Sequence, residues 1–230
     1  MATFNNAKNI LVGASPLFLS VKDSTDGSYV ENMEPGSTAG VAYGAGVSYT
    51  DSLNAATTKF RNVGYTNNGL QITYNPSYGS VTVDQLLDTA KLFKESMEVM
   101  IATEMTEGTL ENVLAVFGQA STTLTTDSDY TAGTAEGKKT LGLAAGALGI
   151  QPTERQLVAV GQAPTTTNGT NNKTTERVYY ARRVLSVQQS QFSLARNNPT
   201  TFPVTFRLLP DGNTAYAGQE YGKIIDRVIA

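Results

Sequence analysis

Apolar and polar residues alternate in several short windows of the chain, and a period of two predicts strands that bury one face. Residues 201–209 are the clearest case, with Phe202, Val204, Phe206 and Leu208 on one side and polar residues between them. Leu70, Ile72 and Tyr74 alternate with Gln71, Thr73 and Asn75; a turn at 76–79 and a return through 81–83 then complete a predicted hairpin. The preceding Asn67-Asn68-Gly69 is rich in residues that tolerate positive φ. Over 97–105, one face carries Met97, Val99, Ile101, Thr103 and Met105, and the other Glu98, Met100, Ala102 and Glu104. Shorter strands are expected at 10–12, 17–21, 155–160, 177–187, 190–195 and 223–229, with a weak signal at 41–43.

A helical period replaces the alternation at 109–117. Leu110, Val113, Leu114 and Phe117 recur at i, i+3, i+4 and i+7 as the expected core contacts of a packed helix. Thr106 or Thr109 can cap its start, Glu107 and Glu111 suit its positive end, and Gly118 stands where a C-terminal cap belongs. A short helix is also expected within 84–93, where apolar residues fall at 86, 87, 90 and 93. Residues 1–9 read as a polar N-terminal arm, 44–58 as a protruding loop, and 162–175 as a flexible loop of Thr, Asn and Gly. The 119–137 stretch is polar and 141–150 an apolar, glycine-rich run. The expected architecture is a single domain over 1–230, mainly β, a sandwich or barrel with one packed α-helix and long loops.

Composition narrows the chemistry. Charged residues make up 16% of the 230, below the ~25% usual in soluble domains. Thr, Asn, Ser and Gly take their place, which suits strands with uncharged polar faces. The net charge is −3, and the basic pairs Lys138–Lys139 and Arg182–Arg183 stand apart, so a clustered phosphate-binding surface is not expected. There are no cysteines and no histidines, which excludes disulfides, thiolate or imidazole metal sites and Ser-His or Cys-His nucleophiles. The apolar stretches fall short of the ~20 residues of a spanning helix. Residues 10–21 resemble a signal-peptide core only faintly, since Pro16 interrupts them, and they are read as strands.

The remaining motifs have bland explanations. Gly44-Ala45-Gly46 lacks the third glycine and following helix of a dinucleotide loop. Glu98 and Glu104 would lie roughly 20 Å apart on a straight strand, too far to act as a glycosidase pair. Asp127, Asp129 and Glu136 share a polar loop that suits at best a weak calcium site. No catalytic, cofactor-binding or metal-binding residue is assigned.

The stretch 61–118 carries a resemblance. Asn62-Val63-Gly64-Tyr65-Thr66-Asn67-Asn68-Gly69-Leu70-Gln71-Ile72-Thr73-Tyr74 is followed by Val81-Thr82-Val83-Asp84-Gln85, then by the extended segment 97–105. Glu107-Gly108-Thr109-Leu110-Glu111-Asn112-Val113-Leu114 leads on to Gly118. In order and spacing, these pieces, about a quarter of the chain, resemble the central part of the tail tube (major tail) proteins of long-tailed bacteriophages. Asn62 departs from the Asp often found there, and the rest of the chain resembles the family only in style.

The resemblance implies a virion structural protein without catalytic residues or cofactors, made in the bacterial cytoplasm. Six copies would close into a ring, rings would stack into a tube, and the lumen would conduct DNA during ejection without binding it specifically. The implied partners are further copies of the chain and the tape measure, tail terminator and distal tail proteins, with no membrane. A conducting bore should present acids and neutral polar groups, because cations would hold phosphates. Glu98, Glu104, Gln71, Thr73 and Asn75 are the candidate lumen-facing residues; the competing reading of the two glutamates is solvent exposure or pairing with Arg177 or Arg183. The alternative functions are another tail or decoration protein of similar fold (tail-end or receptor-contact), and a carboxylate-dependent hydrolase.

Overall fold

The computed structural model describes residues 11, 13–21, 33–37, 39–85, 88–127, 137–146, 148–149, 152–164, 175–194 and 196–229. In chain order these form β1 (Leu17–Ser20), α1 (Tyr49–Ala55), β2 (Phe60–Asn62), β3 (Thr66–Thr82), β4 (Thr89–Met105), α2 (Leu110–Val116), β5 (Leu124–Thr126), β6 (Lys139–Leu141), β7 (Arg155–Gln162), β8 (Thr175–Ser186), β9 (Phe202–Leu208) and β10 (Gly222–Val228). The N-terminal arm 1–9 and most of the 162–175 loop lie outside the described residues, as do Leu86, Leu87, Asp129 and Glu136.

The fold is mainly β and sandwich-like. Eight strands form an antiparallel sheet in the order β2-β1-β7-β8-β9-β4-β3, with β10 also on β8; β5 and β6 make a separate pair. One flank of β8 is shared: β10 takes residues 175–181 and β9 takes 184–186. The far end of β8 thereby hands the sheet from one layer to the other, as strands do at sandwich corners.

Strands β1 and β7 are buried on both faces. Leu17, Leu19, Leu157 and Ala159 point into a cluster with Val99, Ile101, Met105, Val204 and Phe206. Phe18, Val158 and Val160 point the other way, onto Met33, Val41, Tyr49, Leu53 and Phe60. Two-sided burial makes a strand read as a continuous run rather than an alternation.

That second cluster explains a difference from expectation. The 44–58 stretch is not a protruding loop: it holds α1, whose Tyr49 and Leu53 are fully buried over β1, β7 and β8. Ser48 Oγ accepts from the Asp51 N–H (3.1 Å), and Glu176 accepts the Tyr49 N–H on both carboxylate oxygens (3.0 Å each). The described residues therefore form two α-helices rather than one. Val41 is buried without forming a strand.

The expected helix within 84–93 is also absent among the described residues. β4 already runs from Thr89 and pairs with β3 almost to the turn, giving a hairpin with two 17-residue arms. Residues 190–194 form no strand. Helix α2 is capped by Thr109 as expected, but its buried side comprises Asn112, Leu114, Ala115 and Val116. Val113 packs partly against the core and Leu110 is half-buried. Phe117 is not a core contact: it is 38% exposed and stacks on Phe192.

Candidate functional site

Three of the pieces on which the resemblance rests, 62–74, 97–105 and 107–114, meet at the base of the long hairpin, whereas 81–85 lies at its far end. The fully buried Asn112 of α2 donates through Nδ2 to the carbonyls of Val63 (2.8 Å) and Glu107 (2.9 Å), while its Oδ1 accepts from Arg61 (2.6 Å). Tyr65 donates its N–H to the Glu107 carboxylate (3.0 Å), and the Tyr65 carbonyl accepts from the N–H (3.0 Å) and hydroxyl (2.8 Å) of Thr106. Gly64, at φ +84°, makes this possible, because a Cβ there would sit 2.0 Å from the Glu107 side chain. One amide thus locks the chain entering the hairpin to the chain leaving it. Burial outweighs nearby Glu111 and Glu107 at Arg61 and pulls its pKa below the ordinary arginine value.

Above that base, the outward side of β3, β4 and β9 is polar. Directly opposed residues of an antiparallel pair share a face. Gln71 lies opposite Ala102, Thr73 opposite Met100 and Asn75 opposite Glu98, with Glu104 opposite Asn67. The five residues proposed to face a lumen therefore share one side of the sheet. On β9, Arg207 is opposite Met100, and Thr205 opposite Ala102. Asn67 Nδ2 donates to Glu104 (3.1 Å), and Glu98 pairs with Arg207 at 3.6 Å. Glu98 is thus paired, although Arg177 and Arg183 are engaged elsewhere, with Asp226 and Glu154. The strict alternation of 201–209 already placed Thr205 and Arg207 on the solvent side, the signal that could have named Arg207.

A bulge interrupts this face. Asn67 opposes Glu104 and Gln71 opposes Ala102, so Asn68, Gly69 and Leu70 stand against Thr103 alone. Thr103 holds the bulge by donating its hydroxyl to the Gly69 carbonyl (2.9 Å). A hollow of about 150 Å³ opens beside it, walled by Glu104, Gln188, Ser190 and Thr205 among others.

The opposite side of the hairpin behaves differently along its length. Near the base, Ile101 and Val99 are core residues, and Ile72 and Tyr74 oppose them on the same side. Farther out the core stops but the apolar stripe continues. Tyr74, Tyr78 and Leu92 are 59%, 58% and 63% exposed. Lys94 reaches over the Tyr74 ring, 5.7 Å from its centroid, and Phe93 covers Gly79 on the polar side. At ~3.4 Å per residue, the arm from Pro76 to Thr82 overhangs the body by roughly 20 Å. The outer flank of β3 pairs with no strand among the described residues.

The buried charges hold the fold together. Glu154 forms a two-oxygen pair with Arg183 (2.7 Å each). Glu176 binds Arg227 (3.0 Å) as well as α1, and Glu34 binds Arg182 (3.2 Å) and Lys223. Glu176–Arg227, Arg177–Asp226 and the Glu34 bridge between Arg182 and Lys223 fasten β10 along β8, while Glu154–Arg183 ties β8 to the start of β7. Burial raises the hydroxyl pKa of both Tyr49 and Tyr180 above the ordinary tyrosine value.

A scan against protein-family models finds none that matches the chain, and a search of curated proteins finds no match. Among the described residues, no helix is long and apolar enough to cross a membrane.

Proposed function

We propose that this chain is a structural subunit that polymerises with copies of itself into the tail tube of a long-tailed phage, in stacked hexameric rings whose lumen conducts DNA. The observation that carries the reading is the overhanging hairpin. Its core-side stripe leaves its own core while still apolar, its reverse side is polar apart from Val81 and Phe93, and the outer flank of β3 pairs with no strand among the described residues. Tyr74, Tyr78, Leu92 and Ile72 together expose roughly 400 Å², taking ~200 Å² per large side chain. A patch of that size matches the largest, often functional, apolar patch of a monomer. An exposed two-stranded arm is marginal alone in water and gains its stability from what it lies against.

A second copy fits that requirement. Laid on a neighbour, the stripe would be covered and the unpaired strand flank could be hydrogen-bonded, while Glu98, Glu104, Gln71, Thr73 and Asn75 stayed on the uncovered side. A head-to-tail contact of this kind closes into a ring when its rotation closes. The polar side then lines the bore, where Arg207 is paired with Glu98. The buried glutamates are each committed to an arginine, which favours a structural over a hydrolytic role.

Electron microscopy of the protein at rising concentration tests the reading: hollow rings and tubes are expected. A variant with 77–96 replaced by a tight Asn-Gly turn, which keeps Pro76 opposite Met97, should fold and stay monomeric. Closed small oligomers would favour a tail-end or receptor-contact role. A wild-type chain that stays monomeric at every concentration would overturn self-assembly altogether.

A further inference from the structure

We infer that Asn68 is a site of spontaneous covalent modification, converting through a cyclic imide to aspartate and isoaspartate in the folded protein. The inference rests on the β3 bulge and stands whether or not the chain forms tubes. Asn68 is followed by Gly69, and both residues are exposed. Asn68 has φ +59°, the one non-glycine residue with positive φ among the described residues, and Gly69 has φ +67°. The Asn68 side chain makes no hydrogen bond among the described residues, unlike Asn67, which is held by Glu104. Neither Asn68 nor Gly69 occupies a ladder position opposite β4. Nothing lies within 4 Å of where a Gly69 Cβ would be, so the attacking nitrogen is unshielded on that side.

The chemistry needs only water. The Gly69 backbone nitrogen attacks the Asn68 side-chain carbonyl carbon and forms a C–N bond. The side-chain amide leaves as ammonia, carrying the proton lost by the nitrogen. Water then opens the five-membered imide at either carbonyl. Opening at the side-chain carbonyl leaves aspartate. Opening at the main-chain carbonyl leaves isoaspartate, with the backbone rerouted through one extra methylene. No electron is gained or lost. The bulge has the slack to take that methylene, because three residues already stand against one there, whereas in a paired strand it would shift the register. Either product adds a negative charge at the lip of the hollow, on the side that carries Glu104.

Peptide mapping of the full-length protein, aged at mildly alkaline pH and monitored by circular dichroism to stay folded, tests this. Electron-transfer fragmentation separates aspartate from isoaspartate. Acid at Asn68 should accumulate about tenfold faster than at Asn67 or Asn75, and Gly69→Ala should slow it about tenfold, because a Cβ crowds the nitrogen and is strained at positive φ. Asn68→Gln, whose longer side chain disfavours the five-membered ring, serves if Gly69→Ala does not fold and should abolish the fast conversion. The inference is overturned if Asn68 keeps its amide in the folded protein while urea-unfolded chain converts, or if Asn68 converts no faster than Asn67.

Discussion

Replacing Asn112 by alanine isolates the lock at the hairpin base. The substitution deletes two bonds to backbone carbonyls and one to a guanidinium, at a residue with no solvent exposure. Each buried acceptor left short costs about 1 kcal/mol, and the lost bond to a charged group about 1.5–3 kcal/mol. Alanine returns up to ~0.7 kcal/mol through helix propensity. The net loss is about 3 kcal/mol, and at ~2–4 °C per kcal/mol for a chain of this size it lowers Tm by roughly 6–12 °C. Asn112→Asp is a sharper case, because it keeps an acceptor for Arg61 but turns an oxygen toward the Val63 and Glu107 carbonyls; it should be at least as destabilising. Thermal and urea unfolding measured on dilute protein give both values. A change below about 1 kcal/mol for either variant would falsify the claim that this amide joins the two ends of the hairpin.

Three further outcomes follow from other parts of the structure. Gly64→Ala forces a Cβ into the Glu107 carboxylate at φ +84° and should cost about 1–3 kcal/mol; an unchanged Tm would mean that the close approach has no energetic consequence. The double variant Glu98→Lys and Glu104→Lys should still form tubes, since exposed pairs contribute little to stability. Those tubes should retain duplex DNA in a salt-dependent way and slow genome ejection, and normal ejection would remove these glutamates from the lumen. The bond from Arg177 holds the Asp226 carboxyl below its ordinary value. A depressed folded-state value contributes stability above the unfolded pKa, fading as pH falls through the lower folded one. The protection of β10 amides against hydrogen exchange, taken relative to the unstructured rate at each pH, should therefore fall below about pH 4 in the wild type. Asp226→Asn should already show the lower protection at neutral pH, and a pH profile of protection identical in both proteins would refute the assignment.

What could be read from the sequence depended on one-sided burial. β9 and the inner half of β4 each cover a core on one side, so Phe202 to Leu208 and Met97 to Met105 alternate and were legible. The outer half of the hairpin covers nothing in its own chain. Its side chains follow no burial pattern, and Ala90 and Phe93, which lie on β4, count in the sequence toward a helical period. Helix α1 was missed because its buried stripe is only Tyr49 and Leu53 in a polar setting, although Ser48 with Asp51 three residues on is a start signal. Around α2 the cap, the buried Leu114 and the partly packed Val113 were legible, but the rest of the buried side was not. A fully buried Asn112 inverts the usual reading, because three hydrogen bonds substitute for apolar contact there. The five polar-side residues were grouped correctly on one side because strand alternation alone fixes it. Arg207, the partner of Glu98, lies more than 100 positions later in the chain.

The innermost strands also set an order of events during synthesis. Leu17 is partnered with Ala159 and Phe18 with Val158, so β1, which can pair early with β2 on one flank, waits for residues translated some 140 positions later to pair on the other. Contacts of such long sequence separation are slow to form. The hairpin and α2, by contrast, lie within 66–116 and can assemble while the ribosome is still working. The nascent chain therefore carries its adhesive arm before its interior has closed, and crowded polysomes become the setting in which premature aggregation competes with correct folding.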